Sequence, residues 1–82
     1  MSQDRLAALI QAHQEAIEAG REPLLAHETI VSVLRGLDQG AVTRGLVIRL
    51  LTSQAQLADE PTEVALYRQA AAAIRQMPRE EP

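Results

Sequence analysis

His27 and Glu28 are neighbours in the chain and open the pattern His-Glu-x-x-His, which sets two zinc-binding imidazoles one helical turn apart beside a carboxylate base. Position 31 is a valine, so the pattern is not completed, and the other histidine, His13, belongs to a different stretch. A metal site would therefore have to gather His13, His27 and a carboxylate from separate elements. The plainer expectation is that His13 lines a core edge and His27 is a solvated helix residue. Nucleophilic catalysis needs an activated hydroxyl, thiol or amine with a base in reach. Ser32 and Ser53 lie in apolar runs, where a hydroxyl usually bonds a carbonyl one turn back. Glu15 with Glu18, and Glu60 with Glu63, are carboxylate pairs at helical spacing, but they fall on polar faces or at a helix start rather than in a cleft that would shift their pKa. Gly36, Gly40 and Gly45 match neither a phosphate loop nor a dinucleotide fingerprint, both of which follow a strand. The reading is a non-enzymatic chain without catalytic, metal or cofactor residues.

Composition narrows the classes further. The 82 residues are too few for a second domain, and 46% apolar with 23% charged residues is enough to fold. Cysteine is absent, so disulfides and thiolate zinc sites are excluded, and a small chain without such staples suits a reducing cytoplasm. Lysine is absent too, which removes Schiff-base chemistry; eight arginines without a lysine fit a GC-rich genome, the alternative being a functional choice for the bidentate contacts that lysine cannot make. No segment approaches the length of a membrane span, and the N-terminus lacks a signal-peptide pattern, so a cytoplasmic, membrane-free protein is expected. The only aromatic is Tyr67, so the core must be built from Leu, Ile, Val and Ala. Such a small core leaves a margin of roughly 3 to 5 kcal/mol, which a second copy of the chain would increase.

The elements that would position these residues are helices. Leu6, Leu9, Ile10, His13, Ala16 and Ile17 share one face of a first helix over 3–19, with Ser2 as its N-cap and Gly20 past its end. Pro23 suits the first turn of a second helix reaching Asp38, whose stripe is Ile30, Val33, Leu34 and Leu37, widened by Leu24 and Val31. Gly40 marks the next turn, and a third helix is expected over 41–57, apolar on more than one face, with Gly45 permitting a close approach. Asp59 or Glu60 would cap a fourth helix, with Pro61 in its first turn and Met77 at its end; its stripe is Val64, Tyr67, Ala70, Ala71, Ile74 and Met77. Short connections favour an all-α, four-helix up-down bundle over 1–78, open to completion by dimerisation, with 79–82 as a disordered tail.

The third helix carries more apolar surface than one small core needs. Val42, Leu46, Val47, Leu50 and Leu51, rimmed by Arg44 and Arg49, form the expected interaction face of a protein-binding module, an adaptor, chaperone or inhibitor of a larger complex, with a second copy as the first partner to consider; the competing expectation is that the same side chains fill the chain's own core. The alternative is a helix-turn-helix regulator in which the second and third helices meet DNA through Arg44 and Arg49. A net charge of −3 and an aliphatic third helix speak against it, because recognition helices present polar side chains and phosphate contacts dominate DNA affinity.

Overall fold

The computed structural model describes residues 2–77, and their side chains from Asp4 onward. The Ser2 side-chain cap and the 79–82 tail expected above lie outside the described residues. Four helices account for most of the chain: α1 (Ser2–Glu18), α2 (Leu24–Asp38), α3 (Arg44–Leu57) and α4 (Pro61–Gln76). Among the described residues there is no strand.

The two glycine stops act as their positions suggest. Gly20 and Gly40 have φ of 70° and 77°, the left-handed region that costs a side chain energy and costs glycine nothing. At each, two backbone bonds close the helix end: Gly20 N–H to the Ile17 carbonyl with Arg21 N–H to Ala16, and Gly40 N–H to Leu37 with Ala41 N–H to Gly36. This double closure is the Schellman motif.

α4 starts as expected, with Glu60 as its N-cap and Pro61 in its first turn, whereas the starts of α2 and α3 differ from expectation. Pro23 stands just outside α2 as its N-cap, and the first exposed amide, Leu24 N–H, donates to the Glu22 carboxylate at 3.1 Å. α3 begins at Arg44 rather than at Ala41. Thr43 is extended (φ −87°, ψ 159°) and its hydroxyl oxygen accepts from Leu46 N–H at 3.2 Å, so a threonine cap sets the boundary. Val42 consequently leaves the helix and folds back over α2: a Cβ placed on Gly36 would come within 3.3 Å of its methyl group. The close approach thus occurs at Gly36, whereas Gly45 faces open space.

The helices form a small four-helix bundle of 40 × 26 × 20 Å. α1 packs on α2 and α3 packs on α4, and α2 joins the two pairs by lying against α4 and α3. The Arg44 guanidinium at the start of α3 donates to the Arg75 carbonyl in the last turn of α4 at 2.6 Å, which requires the two to run antiparallel. At the centre, Ile30, Leu34, Val47, Leu51 and Ile74 are almost wholly enclosed, with Tyr67 as the single ring. Leu6, Ala26, Ala55, Ala70 and Ala71 complete this core, and the small alanine side chains bring the helix axes together where aromatics are missing. An open groove of about 410 Å³ separates α1 from the end of α4, bordered by Arg5, Leu9, Ala73 and Met77.

Candidate functional site

α3 divides lengthwise into two faces. Val47, Leu51 and Ala55 point into the core and are buried. Beside this face, roughly a third of a turn round the helix, Leu46, Leu50 and Leu57 are 40%, 39% and 75% exposed, and Ser53 between them is also exposed. The spacing 46, 50, 53, 57 alternates four and three residues, the interval that keeps side chains in one straight seam along a helix. Arg49 flanks this seam and is exposed.

The expected interaction face is therefore split. Leu46, Leu50 and Arg49 lie on the open side. Val47 and Leu51 do not, because the chain's own core encloses them completely and a partner could reach them only by unfolding the bundle. Val42, half-buried, rests on the core from the loop. Arg44 is half-buried and tied to the Arg75 carbonyl, where a cation also suits the negative end of the α4 dipole; it fastens α3 to α4. Leu57 had not been assigned to the face, although it continues the 46–50–53 spacing by one more turn.

A second grouping was not expected. His27 is buried, at 8% exposure, and its Nδ1 lies 2.8 Å from Nδ1 of the half-buried His13, joining α1 to α2. The ring centroids are 5.1 Å apart and the planes are inclined by 47°. The description of His27 as a solvated residue is thus corrected. The signal was present in the sequence: His27, Ile30, Val31 and Leu34 stand at i, i+3, i+4 and i+7, the pattern of one buried stripe. Two nitrogens at this distance share one hydrogen, so one ring donates through Nδ1 and the other must be neutral there to accept. Burial lowers the pKa of both histidines; the facing His27 lowers that of His13 further, and the Arg21 guanidinium does the same to His27.

Among the described residues no group of three or more His, Asp or Glu side chains is assembled that could hold a metal ion. Two imidazoles alone fall short of the three or four protein ligands that zinc sites use. Ser32, Ser53 and the Glu15, Glu18 and Glu60 carboxylates are exposed and Glu63 is half-exposed. No described helix is long and apolar enough to cross a membrane. Comparison with known protein families, with curated proteins and with solved structures finds no match to this chain.

Proposed function

We propose that this chain is a non-enzymatic protein–protein interaction module that associates with a second copy of itself through the outer face of α3. The observation that carries this reading is the leucine seam Leu46–Leu50–Leu57, left open on a helix whose other side is already committed to the core. Leucines scattered singly on a surface need no explanation, but three recurring along one line of one helix, with Ser53 between the last two, are placed to meet a partner together.

Charge favours a second copy as the occupant. α3 carries Arg44 and Arg49 in its N-terminal part and no acidic residue, while Asp59 and Glu60 follow directly after its C-terminal end. In an antiparallel pair the basic N-terminal part of each α3 would therefore lie toward the acidic residues that follow the other's C-terminal end. A seam of one 14-residue helix buries less than the roughly 800 Å² per partner of a standard interface, so a weak dimer with a dissociation constant on the order of micromolar is expected.

Sedimentation across a range of concentrations around the micromolar tests this. Wild-type protein should shift from monomer to dimer, and Leu50→Gln with Leu57→Gln should remain monomeric while keeping full helicity. A wild-type chain that stays monomeric throughout removes the reading. A salt-dependent shift of duplex DNA, abolished by Arg49→Ala, would transfer support to the nucleic-acid alternative.

A further inference from the structure

α1 is attached to the bundle principally through α2, and its other flank borders the open groove beside α4. Both helices carry buried apolar residues, Leu6 and Ala16 on α1 and Val31 on α2, and the Nδ1–Nδ1 hydrogen bond of His13 and His27 joins them. A bond between two imidazoles has a built-in acid limit. One added proton is tolerated, since a cationic ring can still donate to a neutral one. A second leaves two N–H groups facing each other at a separation of 2.8 Å, with no acceptor between them.

We propose that the His13–His27 pair is an acid-sensitive clasp, whose second proton releases α1 from α2 while α2, α3 and α4 stay assembled. The charged surroundings favour this response. His13 comes from α1, His27 from α2 and Arg21 from the connection between them, so every group acting on the pair is cationic or becomes so. Among the described residues, no charged group of α3 or α4 shifts either ring. Of the nearby carboxylates, Glu15 accepts from the Gln11 amide and Glu28 is exposed.

The direction follows from where the protons bind. In the docked state both rings are held below the usual histidine value of 6.5, by burial first and then by the neighbouring positive groups. Once α1 is free the rings return toward 6.5, so the undocked state takes up more protons below that pH and acid favours it. Docking is at full strength above 6.5 and is lost as the pH falls through the lowered values of the pair. One extra proton raises the undocked-to-docked ratio by about tenfold per pH unit within that window. Carboxylates titrate nearer 4, so the effect separates from general acid unfolding. Overall repulsion cannot cause it, because protonation brings the net charge of −3 closer to zero.

Amide hydrogen exchange on the full chain at about pH 7.5 and about pH 5, corrected for the intrinsic pH dependence, reads the proposal directly. The amides of residues 9–17 should lose protection by tenfold or more, while those of residues 47–55 and 67–74 keep theirs. His27→Gln, which cannot titrate, should flatten the difference. Retained α1 protection at the lower pH overturns the clasp, and so does simultaneous loss in all four helices. If the variant does not fold, an NMR titration of the wild-type rings decides: at least one must titrate below 6.5, and two rings titrating at or above it overturn the proposal.

Discussion

Gly40 and Gly45 are five residues apart and respond in opposite ways to the same substitution. Neither has a neighbour within 4 Å of where a Cβ would sit, so packing plays no part and backbone conformation decides. At Gly40 the φ of 77° closes α2, and an alanine there must adopt a left-handed geometry. Gly40→Ala is expected to destabilise the protein by about 1 kcal/mol. Gly45 lies in the first turn of α3 with ordinary helical geometry, and Gly45→Ala should stabilise by about 0.4 to 1 kcal/mol, since the unfolded chain loses freedom and the native backbone is already suited to alanine. Urea denaturation of both variants measures the contrast; two changes of the same sign would mean that the turn at Gly40 or the start of α3 is wrongly placed. Single residues also show where the sequence was hard to read. His27 was legible as the first member of a buried stripe, but its pairing with His13 was not, because it depends on how α1 lies across α2 and no local pattern encodes that crossing.

Helix faces, by contrast, are written in the spacing. The core positions of α2 and α4 follow from the i, i+3, i+4 recurrence of Ile30, Leu34, Tyr67, Ala70, Ala71 and Ile74, and all six are buried. Leu34 is fully enclosed, so Leu34→Ala removes its transfer energy and leaves a cavity in the core, at an expected cost of about 2 to 5 kcal/mol. Leu50, on the outer seam, should change stability by no more than about 0.5 kcal/mol as Leu50→Gln, provided that the two chains are compared at a concentration where both are monomeric. Thermal unfolding separates these cases, and a large loss at Leu50 would place it inside the core. α3 was the least legible element. Ala41 and Val42 extend its apolar run and conceal the true start, which a hydrogen bond fixes: the Thr43 hydroxyl captures Leu46 N–H. Its excess of apolar residues was visible in the sequence, but the division between core and surface was not. Val47 and Leu46 are adjacent in sequence, and only the position of α4 decides which of them turns inward.

For the whole molecule, the distribution of charge along α3 favours one direction for the proposed pair over the other. A parallel pair would set Arg49 beside Arg49 and the Asp59–Glu60 ends beside each other, and it would align the two helix dipoles. An antiparallel pair about a two-fold axis sets the basic end of each α3 against the acidic end of the other and opposes the dipoles. The seam closes on itself under that symmetry, with Leu46 meeting Leu57 of the second copy and Leu50 meeting Ser53. Residues 46 of the two copies are then separated by about 16 Å along the axis, from a rise of 1.5 Å per residue, which is beyond the reach of a disulfide. The chain has no cysteine of its own, so introduced thiols report without interference. Mild oxidation of a mixture of Leu46→Cys and Leu57→Cys proteins should give a cross-linked heterodimer, while each variant alone should cross-link poorly. Efficient homodimer disulfides from either variant alone would establish the parallel arrangement and leave self-association intact. If no cross-link forms in any combination and sedimentation finds only monomers, the α3 seam is not a dimer surface at all.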